Sequence, residues 1–247
     1  MNLQTTAYGW LMLAGIFVSI ALWSRVARRD ERLVFIYIAA LAGAFLGAKI
    51  VYIAAEGWLH WHDQNRWVEF ATGKSITGAL LGGYAAVEIA KHFLRYRNTT
   101  GDWFALIVPL SIMLGRVGCI LHGCCLGRPC EASWFTMNDA TGVPRWPAAL
   151  VELLFNAVMF GVALLLRRKK WLSGQHFHIY LIAYGTFRFI HEFLRATPEI
   201  LGPISGYQIA ALGIVALGVF GFWQRKRERI ISIDANVVGE ASVQPSP

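Results

Sequence analysis

The sequence predicts an all-α, polytopic membrane protein, a helical bundle of about seven transmembrane helices with its N-terminus outside and its C-terminus inside. Three observations carry this expectation. The 247 residues are 56% hydrophobic and only 15% charged, with a mean hydropathy of +0.46, which is too apolar for an ordinary water-soluble domain. Seven stretches, 7–24, 33–55, 76–93, 103–122, 147–166, 176–194 and 205–223, approach the roughly 20 apolar residues needed to cross a bilayer core. Basic residues collect at alternate ends of these stretches, so that fifteen of the 23 lysines and arginines fall on one side.

The first stretch contains Tyr8-Gly9 and is followed, not preceded, by Arg25, Arg28, Arg29 and Arg32. It therefore reads as a span and not as a removable signal peptide. Lys91, Arg95 and Arg97 end the third stretch, Arg167 to Lys170 the fifth, and Arg225, Lys226, Arg227 and Arg229 the seventh. The positive-inside rule makes that side cytoplasmic. The net charge of +8 is thereby explained by topology and anionic headgroups, with no nucleic-acid partner. Residues 1–230 read as one integral-membrane domain, and 231–247, polar and small, as a disordered cytoplasmic tail. Two external segments stand out. Trp58 to Phe70 mixes tryptophans with polar groups and fits a short helix at the outer boundary. Leu126 to Trp146 is a loop of the kind that carries sites or lids.

Chemistry concentrates in Gly115-Arg116-Val117-Gly118-Cys119-Ile120-Leu121-His122-Gly123-Cys124-Cys125-Leu126-Gly127, at the outer end of the fourth stretch. An arginine costs roughly 2.5–3.5 kcal/mol to insert on translocon scales. A planar cation placed there suits bidentate binding of a lipid phosphate, or pairing with Glu152 or Glu192, and both can hold together. In the sixth stretch Tyr184, Arg188, Glu192 and Arg195 share one helical face and run toward the same outer side. Gly78, Gly82 and Ala86 lie four apart, a spacing that allows close helix packing, with Lys74 and Thr77 near the outer interface.

The cysteines admit three readings: soft ligands for zinc or copper, a disulfide involving Cys130 in an oxidising exterior, or inert packing of Cys119. The C-x4-C-C-x4-C spacing matches no common zinc pattern, and neighbouring cysteines seldom reach one ion.

Together these blocks resemble the bacterial prolipoprotein diacylglyceryl transferase family. The resemblance lies in Tyr8-Gly9, Gly78-Ala79-Leu80-Leu81-Gly82, Gly115 to Gly127, Pro144-Arg145-Trp146-Pro147 through Glu152, and Tyr184-Gly185-Thr186-Phe187-Arg188 through Glu192 and Arg195. It covers most of 7–196. It implies a multi-pass enzyme of the bacterial plasma (inner) membrane, its active site towards the outer face. Such an enzyme transfers a diacylglyceryl group from phosphatidylglycerol to the lipobox cysteine thiol of a secreted prolipoprotein, held by its signal peptide among membrane lipids, and releases glycerol phosphate. Arg116, Arg188, Glu192 and His122 are then the catalytic candidates. Arg116, Arg188, Tyr184, Gly127, Glu152 and Tyr8 are the substrate-binding ones. No cofactor or metal ion is assigned to the reaction.

This chain departs from the family pattern at particular positions. Thr77 stands for a histidine, Cys119 and His122 for asparagines, Cys124 for a glutamate and Trp146 for a histidine. His122 or Glu192 is expected to take over proton transfer. The alternatives are a divergent lipid-headgroup or thiol-modifying transferase, and a non-enzymatic membrane protein that uses Cys119 to Cys130 for metal, redox or lipid binding.

Overall fold

The computed structural model describes residues 3–28, 30–64 and 66–241. Its helices are α1 (Leu3–Ala27), α2 (Arg32–Ala55), α3 (Arg66–Thr72), α4 (Ile76–Phe93), α5 (Gly101–His122), α6 (Ala148–Lys169), α7 (His176–His191) and α8 (Gly206–Ala241), with two short antiparallel hairpins, β1 (Met137–Asn138) with β2 (Pro144–Arg145) and β3 (Glu199–Leu201) with β4 (Ile204–Ser205). Each of the seven apolar stretches coincides with a helix. Five described helices are long and apolar enough to cross a membrane: Gly9–Ala27, Arg32–Ala55, Gly101–His122, Ala148–Lys169 and Gly206–Arg227. α4 and α7 are not among them. They are 18 and 16 residues long and carry the charges that interrupt those stretches. The helical backbone of α8 runs to Ala241, so the tail expected from 231 lies partly in this helix and partly, at 242–247, outside the described residues.

One apolar core joins the bundle. Trp23, Ile36, Tyr37, Phe104, Tyr180, Tyr184 and Ile214 are buried within it. Trp23 donates its indole N–H to the carbonyl of Leu33 at 2.8 Å, which ties α1 to α2 across the turn between them. α2 and α4 meet backbone to backbone. A Cβ added at Gly47 would strike the Gly78 carbonyl, and one at Gly82 would strike the Gly43 carbonyl. The stripe at Gly78 and Gly82 is therefore a packing seam, completed by Gly43 and Gly47 on α2.

The tryptophan-rich segment forms a 3-10 turn, Gly57–His60, followed by α3, with Trp58, Trp61 and Trp67 exposed. Lys49 donates its ammonium to the carbonyls of Phe70, Ala71 and Gly73, which satisfies the C-terminal end of α3. Ser75 caps α4 by accepting the Gly78 N–H at 3.3 Å. Ser205 and Gln208 form a reciprocal capping box at the start of α8: the Ser205 hydroxyl accepts the Gln208 N–H, and the Gln208 amide oxygen accepts the Ser205 N–H. The guanidinium of Arg167 lies 3.8 Å over the Trp103 ring, joining the end of α6 to the start of α5.

Candidate active site

The site begins with the way α5 ends. Gly123 sits at φ +70°, its N–H reaching the Ile120 carbonyl at 3.2 Å while the Cys124 N–H reaches the Cys119 carbonyl at 3.1 Å. This pair of bonds is a Schellman cap, and glycine is the residue that adopts its left-handed position without a Cβ penalty. The chain then turns back toward the bundle. Gly127 donates to the Trp146 carbonyl at 2.8 Å, Trp146 donates to that of Arg128 at 3.0 Å, and Arg128 donates to that of Leu194 at 2.9 Å. A Cβ on Gly127 would collide with the Leu194 carbonyl and the Trp146 side chain. This residue therefore lets the loop dock against the segment that carries Arg195. Beyond it, β1 and β2 close over an Asp139 turn, whose carboxylate accepts from Thr141, Val143 and Arg145. The external loop is a built hairpin.

Four elements meet beneath it. Arg116 of α5 places its guanidinium 2.7 Å from Glu152 of α6, which is fully buried. Tyr184 of α7 donates to the other Glu152 oxygen at 2.8 Å. One turn on, Arg188 stands 3.6 Å from Glu152 and 2.8 Å from Glu192. Arg195 stands 3.8 Å from Glu152 and 3.7 Å from Glu192. The Ser205 hydroxyl donates to Glu192 at 3.4 Å, linking the cap of α8 to the cluster. Three guanidiniums and two carboxylates leave a surplus of one positive charge. Five guanidinium nitrogens, Nε of Arg116, Nε and Nη1 of Arg188, and Nε and Nη1 of Arg195, are buried with no hydrogen-bond partner among the described residues, as are Oε2 of Glu152 and of Glu192. Three of the nitrogens face these oxygens as ion pairs at 3.6–3.8 Å, beyond hydrogen-bond reach. Buried donors normally find an acceptor. An anion with several acceptor oxygens suits the surplus charge and the open donors.

The family model for prolipoprotein diacylglyceryl transferase matches residues 1–224. The chain belongs to this family. It is 26% identical over 234 residues to the phosphatidylglycerol–prolipoprotein diacylglyceryl transferase of Clostridium tetani, covering 90% of this chain and 93% of that protein. It is 29% identical over 232 residues to the transferase 2 of Clostridium perfringens, covering 88% and 90%, and 33% identical over 168 residues to the Idiomarina loihiensis transferase, covering 66% and 63%. The chain is thus a transferase-family, multi-pass membrane protein.

Within this family frame, the structure gathers Arg116, Glu152, Tyr184, Arg188 and Glu192, five of the site residues the sequence nominates, together with Arg195 of the same charged stripe. Gly127 supports the cluster from the loop. His122 is exposed as the last residue of α5. The backbone of Tyr8 belongs to α1, and its side chain lies outside the described residues. Thr77, where the resemblance implies a histidine, is buried and shares a 2.6 Å hydrogen bond with Ser75 at the start of α4.

One residue escaped sequence reasoning. His191 is buried, stacks on Phe187 at a centroid distance of 4.9 Å, and accepts the indole N–H of Trp146 on Nε2 at 3.0 Å. The partner thereby assigns its proton to Nδ1. The available signal was Trp146 itself, an indole donor where the resemblance implies a histidine. Its appearance implies an acceptor nearby.

Proposed function

We propose that this protein transfers the diacylglyceryl group of phosphatidylglycerol to the cysteine thiol of a secreted prolipoprotein. The observation that carries the reading is the set of buried guanidinium donors lacking an acceptor, in a member of the diacylglyceryl transferase family. In the proposed reaction the thiol sulfur attacks the glyceryl carbon next to the phosphate ester oxygen. A C–S bond forms, the C–O bond breaks, and glycerol phosphate leaves with that bond's electron pair. Arg116, Arg188 and Arg195 hold the phosphate and stabilise the charge that grows on it as the bond breaks. Glu152 is the shared counter-ion: it converges three arginines that would otherwise repel one another, and Tyr184 fixes its second oxygen.

The thiolate is the reactive nucleophile, so the thiol proton needs an acceptor. His122, exposed where α5 ends, takes this proton in our reading. Glu192, enclosed by Arg188, Arg195 and Ser205, keeps the arginines in place. α4 and α7 complete seven spans with the N-terminus outside. The cluster then faces the outer side of the bacterial inner membrane, where the signal peptide of the acceptor lies among lipids. Residues 231–247 follow the membrane domain as its cytoplasmic tail.

The test is a mass measurement. Purified protein given phosphatidylglycerol and a lipobox peptide should add one diacylglyceryl group to the peptide, and none to a peptide whose cysteine is serine. Absence of the increment overturns the reading. Normal transfer by a His122→Ala, Glu192→Gln double variant would remove the roles given to those two residues.

A further inference from the structure

The cysteines of the motif take no part in the proposed transfer, yet the fold brings three of them together. The sulfurs of Cys119, Cys124 and Cys125 lie within 4.8 Å of one another, and all three are free thiols. They come from different backbone settings. Cys119 is buried on the last turn of α5, Cys124 follows the Schellman glycine, and Cys125 sits at φ +60°. Two adjacent residues in extended chain point their side chains apart. The left-handed backbone at Cys125 removes that obstacle and turns both thiols to one centre. A non-glycine residue in this region is strained, and such strain persists where the surroundings over-determine it, often at ligand sites.

We propose that Cys119, Cys124 and Cys125 form a three-sulfur site for a soft, thiophilic ion, of which monovalent copper is the best match. Thiolate sulfurs select soft ions. At a metal–sulfur bond of about 2.3 Å, three sulfurs in a trigonal plane stand about 4.0 Å apart. The present separations, none above 4.8 Å, exceed that distance by under about 1 Å at most. The set holds three sulfurs, which suits an ion content with three ligands better than tetrahedral zinc. Binding is balanced as three thiols and one cuprous ion giving a tris-thiolate complex of charge −2 and three protons released to solvent. The neighbourhood offsets that charge. Arg116 directs Nη1 at the Cys119 sulfur at 3.8 Å, and the arginine cluster beside it carries its surplus of one positive charge. Cys130 stands apart. It is exposed, and its N–H bonds to the Pro144 carbonyl in the hairpin.

The experiment is anaerobic titration of the reduced, detergent-purified full chain with cuprous ion against a chromophoric cuprous chelator. One equivalent should bind. Cys125→Ser and Cys124→Ser should lose it, and Cys130→Ser should keep it. X-ray absorption of the loaded protein should find three sulfurs at about 2.3 Å. Because Cys119 is buried and its replacement threatens folding, a readout on the unaltered protein accompanies these variants. Copper loading should slow maleimide labelling of Cys125 by roughly tenfold while leaving Cys130 unchanged. Absence of uptake, uptake unchanged in the Cys124→Ser, Cys125→Ser double variant, a two-sulfur shell, or preference for zinc at these thiols would each overturn the proposal. None of these outcomes depends on transferase activity, so failure here is distinct from failure of the proposed reaction.

Discussion

The α2–α4 seam and the α5–α6–α7 junction solve the same problem, holding helices together inside a bundle, by opposite means. At the seam, Gly43 and Gly47 face Gly78 and Gly82 with carbonyls where side chains would otherwise be, so close backbone fit holds the pair. At the junction, one fully buried glutamate gathers three arginines, and part of their donor capacity has no partner among the described residues. A region that only needs to be stable fills its space and satisfies its groups. Buried charge with unused donors is expensive, and it is retained where a ligand completes it. The contrast separates scaffold from site without reference to any relative.

Substitutions should break the two regions differently. The largest effect is expected from Arg116→Ala. On the proposed reading it removes one phosphate donor, worth about 10²–10³ in rate, and it leaves Glu152 short of its closest partner, at about 3–5 kcal/mol of stability for a broken buried pair. Transfer rate and thermal unfolding in detergent should therefore fall together. Gly43→Leu comes next. Overpacking of the seam should cost about 1–3 kcal/mol, read as a lower unfolding temperature, while the folded fraction keeps its specific activity. A comparable loss of activity per folded molecule would erase the distinction between the regions.

Trp146→Phe should be milder. It keeps the ring but removes the hydrogen bond to His191, about 1 kcal/mol of net stability, and the accompanying change in the His191 ring environment is measurable by NMR. The smallest effect belongs to the hairpin. Hydrogen bonds from Thr141 and Arg145 hold the Asp139 carboxyl below the usual carboxylate range. Its contribution is therefore fully present above about pH 4, the ordinary aspartate value, and is lost as pH falls through the lowered one. The protection of the Thr141 and Val143 amides relative to their intrinsic exchange rates should fall on acidification, and Asp139→Asn should remove that dependence.

The scaffold was legible because apolar length dominates in a membrane. All seven stretches found helices, and the glycine stripe on α4 pointed to a close partner, though not to which helix supplied it. The spacing of Arg188, Glu192 and Arg195 displayed one half of the site. Its other half, Arg116 with Glu152, joins residues 36 apart in sequence and was legible only as one of two possible pairings. Three features stayed hidden for physical reasons. The two hairpins are too short to show an alternating pattern. His191 declares itself only through a partner 45 residues away. The convergence of Cys124 and Cys125 depends on a left-handed backbone that cysteine does not favour and sequence does not announce.

The central claim is that the buried guanidiniums hold the lipid phosphate, and Arg188→Gln tests it most directly. The substitution shortens the side chain, keeps an amide donor, and leaves Arg195 and Ser205 against Glu192. Loss of the buried 2.8 Å pair with Glu192 lowers the unfolding temperature, so the readout is the specific activity of the folded fraction. If the claim is correct, that fraction transfers diacylglycerol from phosphatidylglycerol to a lipobox peptide about 10²–10³ times more slowly. A folded variant that transfers at the wild-type rate would contradict it.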